Sequence, residues 1–283
     1  METIERIHLT DVTLSCFVAG DGPLVIAAHG SPDGARTFAA QVPALVGAGY
    51  RVVLPTLRGY APSGVSRSGR HDAAAAGEDL VALADHYSPG VPARLLGHDW
   101  GAFAAFAATT LAPSRFSHLA TLALPHLRAV LPHFATAAQL RRSWYVGLFQ
   151  IPSVAEAKLR AHDFALIDAL WRDWSPSYRA SADELRSVKD GIRDRVQPVL
   201  SYYRALRSLR ALRRAHLLVA PTRVPAIHLH GAEDGCIGIA CTRGAERFYE
   251  SGYTFHRIEG AGHFLHKEKP AETNRLLLSF FSR

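Results

Sequence analysis

The chain has 283 residues, 48% of them hydrophobic and 20% charged, a composition that excludes a disordered low-complexity protein. Its net charge of +7 is dispersed, which argues against nucleic acid as a partner, and no apolar run reaches the length of a membrane span. Three cysteines (Cys16, Cys236, Cys241) with no CxxC pair suit reduced thiols better than a disulfide framework. The N-terminal stretch has no basic segment followed by an apolar one, so no signal peptide is read. A soluble, cytoplasmic protein with no membrane partner, monomer or homodimer, is expected. The one basic concentration (Arg204, Arg207, Arg210, Arg213, Arg214) has mostly helical spacing and reads as a solvated helix face, set against an anion-binding or membrane-surface role.

In chain order, Ile4–Leu9 and Val12–Ala19 alternate as strands around a tight turn at Thr10-Asp11. Leu24–Ala28 (LVIAA) is a continuous apolar run, as expected of a strand buried on both faces. A helix near Thr37–Gly47, a strand Arg51–Leu54, a Gly/Pro/Ser-rich loop Pro55–Gly69 and a helix over about Ala73–Tyr87 follow. Val91–Leu96 reads as a strand, Ala102–Leu111 as an Ala-rich helix, and Leu119–Leu124 as another strand. This alternation predicts an α/β protein with a mostly parallel, doubly wound sheet. From about Pro125 to Ala220 only helix-like segments occur, and then the strand Ala226–His230, a helix Gly244–Tyr249, the strand Thr254–Ile258 and a closing helix Ala271–Phe281 resume the pattern. The expected division is a core over 1–127 and 221–283 with a helical insertion over 128–220.

The chemistry is concentrated in loops after strands. In LGHDWGAF (96–103) two glycines frame Asp99 at a strand-to-helix turn, where a nucleophile needs small neighbours. The amides opening the next helix favour negative charge there, so Asp99 is expected ionised and exposed at the carboxyl end of the sheet. The competing assignment is an ordinary helix cap. His263, in GAGHFLHKEKP after the last strand, suits a general base for water, and Asp234, in HGAEDGC, suits the carboxylate that orients it. HGSP (29–32) follows Leu24–Ala28, where an oxyanion-hole amide is donated; the two donors would be the N–H groups of Ser31 and Trp100. His98, His228, His230 and His266 are assigned to packing or surface, and the His228–His230 pair has no third metal ligand at suitable spacing.

The motifs HGSP, PTLRGYAPS (55–63), GHDWGA (97–102), GAEDGC (231–236) and GAGHFLHKEKP (260–270) resemble the α/β-hydrolase superfamily, and within it epoxide hydrolases and haloalkane dehalogenases. The resemblance spans nearly the whole core. It implies an eight-stranded sheet, a helical cap after the sixth strand, no cofactor or metal, and an Asp nucleophile whose alkyl ester is cleaved by His and water. SWYVGLFQIPSVAEAKL (143–159) and VLSYYRAL (199–206) resemble the two cap motifs in which epoxide hydrolases carry ring-opening tyrosines, placing them at Tyr145 and Tyr203. Tyr202 is assigned to amphipathic packing with its hydroxyl at the surface.

Trp100 is common to both branches. The position of the dehalogenase Asn is Ser31 here, and no Arg follows Asp99, so dehalogenation is the alternative rather than the main expectation. A non-catalytic hydrolase-like binding protein is the third reading. Ser31 also replaces an aromatic residue usual in epoxide hydrolases, and Thr56 stands where many relatives carry Asp. Trp100, Phe103, Leu148 and Phe149 are expected to line an apolar pocket for a small lipophilic epoxide, with water as co-substrate.

Overall fold

The computed structural model describes residues 2–283. Among these residues eight strands form one sheet: β1 (Glu2–His8), β2 (Thr13–Ala19), β3 (Leu24–Ala28), β4 (Arg51–Pro55), β5 (Ala93–His98), β6 (Phe116–Leu122), β7 (Ala226–Gly231) and β8 (Tyr253–Ile258). Their order is β1-β2-β4-β3-β5-β6-β7-β8. β1 and β2 pair antiparallel, as do β2 and β4, and every later pair is parallel. Every residue of β3 is buried, which is why LVIAA shows no alternation: helices cover both faces of a parallel sheet.

Two Ala-rich helices, Ala73–Tyr87 and Trp100–Leu111, pack against each other, and short side chains allow the close approach. Asp72 starts the first by accepting Ala75 N–H at 2.8 Å. The Pro55–Gly69 loop is anchored by Arg58, a fully buried cation. Its guanidinium donates twice to Asp79 (2.7 Å each) and once to Asp11 (2.8 Å). The Thr56 carbonyl accepts from Ser63 Oγ at 2.6 Å, so the loop at this position is tied through backbone.

Several sequence boundaries shift for local reasons. β5 begins at Ala93, since Val91 is exposed in the preceding turn, and it runs to His98, which still registers with Leu122 of β6. The next helix starts at Trp100. The segment expected as one helix near Thr37–Gly47 is a 3-10 turn, Ala35–Phe38, and a separate helix, Gln41–Gly47. Gly244–Tyr249 contains only a 3-10 turn, Ala245–Phe248.

Between β6 and β7, from Leu127 to Val219, the regular elements among the described residues are helices. The longest, Val154–Trp174, breaks at Ala161–Phe164, where three residues have positive φ (49°, 51° and 60°). The basic stripe is not one helix face. One helix ends at Ala205, and short helices follow at Leu209–Leu212 and His216–Val219. Arg204 pairs with Glu156 (2.8 Å) and Arg214 with Glu78, while Arg207, Arg210 and Arg213 are exposed.

Candidate active site

Asp99 follows β5, His29–Pro32 follow β3, Asp234 follows β7 and His263 follows β8, so all meet at the carboxyl edge of the parallel strands. The turn at Asp99 is strained, with φ 51° and ψ −119°. Glycines permit it: a Cβ at Gly101 would stand 2.0 Å from the Ala28 carbonyl oxygen, and one at Gly97 would stand 2.6 Å from Ala102 Cα. Small residues there are thus a steric requirement.

Asp99 occupies the N-cap position of the helix Trp100–Leu111, yet its side chain makes no capping hydrogen bond. Oδ1 instead accepts the Ser31 N–H at 2.8 Å, and Oδ2 stands 3.7 Å from His263 Nε2. The helix-cap assignment therefore fails on geometry. So does the expectation of an exposed carboxylate: Asp99 is 6% exposed, at the wall of a cavity. Burial alone would raise its pKa, but the positive charge of His263, with the Ser31 N–H, holds the carboxyl below the usual range.

His263 Nδ1 bonds Asp234 Oδ2 at 2.9 Å, and Nε2 has no partner among the described residues. Asp234 Oδ1 is gripped by the N–H groups of Cys236 (2.7 Å) and Ile237 (2.8 Å). His263 is fully buried. Desolvation pulls its pKa down, and the Asp234 and Asp99 carboxylates override it, pushing it up to about 10. The ring is an imidazolium between two carboxylates.

None of the four histidines assigned to packing or surface, His98, His228, His230 and His266, lies at the surface. His98 Nε2 donates to the His263 carbonyl (3.0 Å). His230 Nε2 donates to the Ile237 carbonyl (2.8 Å), which fixes a chain in which His230 Nδ1 accepts from His228 Nε2 (3.1 Å) and His228 Nδ1 from Thr121 Oγ1 (2.9 Å). These rings brace the loop carrying Asp234. His29 does the same for HGSP: Nε2 accepts the Leu57 N–H (3.0 Å) and Nδ1 donates to the Gly30 carbonyl (2.8 Å).

Both cap-motif tyrosines are buried and line a cavity of about 440 Å³ with Asp99, Trp100 and Phe103. Tyr203 Oη points at the Ser31 carbonyl (3.4 Å) and Tyr145 Oη at Cys236 Sγ (3.2 Å). Burial first, then nearby charge, raises both phenol pKa values well above normal, so both are neutral donors.

Tyr202 departs from expectation, because its hydroxyl is not at the surface. It donates to the Arg58 carbonyl (3.0 Å), and the ring lines the same cavity. Leu148 and Phe149 do not line it. Phe149 packs on the Tyr145 and Tyr203 rings (5.6 and 4.9 Å), and Val146, one residue past Tyr145, takes the lining position. A second cavity of about 450 Å³, lined by Asp33, Tyr60, Glu184 and Lys267 among others, includes none of Asp99, His263, Tyr145 and Tyr203.

Sequence reasoning passed over Cys236, though it stands inside GAEDGC. It also passed over Trp174, whose carbonyl accepts the His263 N–H (3.0 Å) and whose ring lies 5.2 Å from the imidazole. Trp174 belongs to no motif, and nothing in the sequence marks it.

A family model described as alpha/beta hydrolase fold matches residues 23–270, and the chain belongs to that family. Epoxide hydrolase A of Mycobacterium tuberculosis is 30% identical, over 99% of this chain and 97% of its own. The AB hydrolase superfamily protein YfhM of Bacillus subtilis is 29% identical, over 97% and 96%. Among solved structures, epoxide hydrolase A from Mycobacterium thermoresistibile superposes with a TM-score of 0.82 at 26% identity, covering 99% of this chain and 98% of that one. Within the family, the chain falls in the epoxide hydrolase branch.

Proposed function

We propose that the chain hydrolyses a lipophilic epoxide to a vicinal diol through a covalent ester on Asp99. The observation that carries this reading is an Asp at a helix N-cap that caps nothing. It is held by one N–H, faces an imidazole, and shares its cavity with two neutral phenols.

Tyr145 and Tyr203 donate hydrogen bonds to the epoxide oxygen. Asp99 Oδ2 attacks one ring carbon, the C–O bond breaks, and the departing oxygen takes a phenol proton. Oδ1, already on the Ser31 N–H, becomes the ester carbonyl oxygen. Esterification removes one of the two anions that keep His263 protonated, so the imidazolium loses its hold on its proton, which in net restores the phenol. Neutral His263, oriented by Asp234, takes a proton from water, and the hydroxide adds to the ester carbonyl. The oxyanion is held by the Ser31 and Trp100 N–H groups. Collapse releases the diol and returns Asp99 as carboxylate beside protonated His263, so the protons balance.

In this reading residues 128–220 act as a cap that supplies both phenols, while 1–127 and 221–283 supply nucleophile, acid and base. The wall of Trp100, Phe103, Leu127, Val130, Val146 and Leu218 favours an apolar substrate body.

The test is intact mass after mixing with styrene oxide. His263→Gln should gain the mass of one epoxide and turn over at most slowly, and Asp99→Asn should gain none. Full turnover by Asp99→Ala would sink the mechanism. Halide release from a haloalkane, with Tyr145→Phe silent, would shift the assignment to dehalogenation.

A further inference from the structure

Cys236 has no part in the chemistry above. It stands on the turn whose N–H groups hold Asp234 Oδ1, and its thiol lies 3.2 Å from Tyr145 Oη. It also completes a buried cluster: one ligand atom each from Asp99, Cys236 and His263 lie within 4.8 Å of one another. His263 Nε2 lacks any hydrogen-bond partner among the described residues and is 3.7 Å from Asp99 Oδ2. Two N/O ligands at zinc distances and tetrahedral angles sit about 3.4 Å apart, so this pair needs a shift of a few tenths of an ångström, while the thiol, within 4.8 Å of both, would close up as the ion binds. Asp99 and Tyr145 line the 440 Å³ cavity, which gives an ion a way in.

We propose that Asp99, Cys236 and His263 form an inhibitory site for a borderline or soft divalent cation, zinc or cadmium. Thiolate, imidazole and carboxylate together select zinc and cadmium over magnesium and calcium, which prefer all-oxygen shells. The charge balance favours the exchange. Asp99 carboxylate, His263 imidazolium and Cys236 thiol sum to zero; carboxylate, neutral imidazole, thiolate and a dication also sum to zero. Two protons, one from Nε2 and one from Sγ, leave to solvent. Burial and the nearby carboxylates oppose thiolate formation in the free protein, and the cation itself supplies the compensating charge. Tyr145 Oη, 3.2 Å from the thiol, is the adjacent protein group that could serve as a fourth ligand. With Asp99 and His263 both ligating, neither nucleophile nor base is available, so the cation acts as an inhibitor rather than a cofactor.

Cadmium titration of the intact protein tests this without any substrate, so the outcome is independent of whether the protein hydrolyses epoxides. A thiolate-to-cadmium ultraviolet band should saturate at one cadmium per chain, with two protons released into weak buffer. Cys236→Ser should abolish the band, and the Cys16→Ser/Cys241→Ser pair should keep it. His263→Gln and Asp99→Asn should each weaken cadmium at least about tenfold. They remain informative if Cys236→Ser does not fold, as read by circular dichroism. Zinc should displace cadmium, and magnesium should not. No band in folded wild type, a band surviving Cys236→Ser, unchanged affinity in both ligand variants, or displacement by magnesium would each overturn the proposal.

Discussion

Asp99 is kept ionised in a place where burial alone would neutralise it, and His263 is kept charged where burial alone would strip its proton. Asp234, with Asp99 beside it, holds the proton on His263, and His263 in turn holds Asp99 ionised. In the proposed cycle the tyrosines would complete the division of labour, since a phenol whose pKa is raised donates without ionising. Tyr145→Phe and Tyr203→Phe should therefore each lower the rate of ester formation by about 10²-fold, the scale of a lost general acid, with the double variant close to inactive. Stopped-flow tryptophan fluorescence would read this, since Trp100 packs on Tyr203 with ring centroids 5.1 Å apart. A single variant at the wild-type rate would remove that tyrosine from ring opening. At this scale Asp99, Asp234 and His263 were legible because glycine-flanked loop motifs carry their own steric reason. Leu148 and Phe149 were misplaced because a helix of six residues, Trp144–Phe149, gives too little periodicity to show which side faces the cavity.

Among the elements, the strained turn depends on its neighbours being glycine, and the Pro55–Gly69 loop depends on Arg58. Removing that guanidinium leaves Asp79 buried and unpaired. Arg58→Met should then cost about 3–5 kcal/mol in urea unfolding, the usual penalty for breaking a buried ion pair from one side. A loss below about 1 kcal/mol would show that Asp79 finds another partner or a proton. No sequence pattern announced the Arg58–Asp79–Asp11 network, because it joins a loop, a helix and a turn far apart in the chain. Helix ends between 206 and 219 were illegible for another reason: arginines repeat every three residues across a break that only tertiary packing creates.

For the whole molecule, the order of strands and helices could be read directly, since buried parallel strands give apolar runs that amphipathic helices do not imitate. Burial of the histidines could not, and it sets the stability profile. Desolvation lowers His29 to about 4 and His98 to about 3, and lowers His228, His230 and His266 as well. Their stabilisation is complete above the unfolded value of about 6.5 and is lost as pH falls below it, by about 1.4 kcal/mol per pH unit for each histidine still inside its window. Asp33, raised by burial to about 6, offsets one of them between about pH 4 and 6. His263 runs the other way: its contribution is complete below about 6.5 and fades as pH climbs to about 10. Between about pH 4 and about 8.5, below the titration of the buried thiols and phenols that burial also raises, unfolding midpoints should peak at about pH 6.5 and fall more steeply on the acid side; a steeper alkaline side within that window would contradict the burial pattern.

In the proposed cycle water attacks an ester of Asp99 and never the epoxide itself. A single turnover in heavy-oxygen water, with enzyme in excess over styrene oxide, tests it directly. Label should appear in the peptide bearing Asp99, and the first diol should be unlabelled. Label in the first diol, with Asp99 unlabelled, would contradict it.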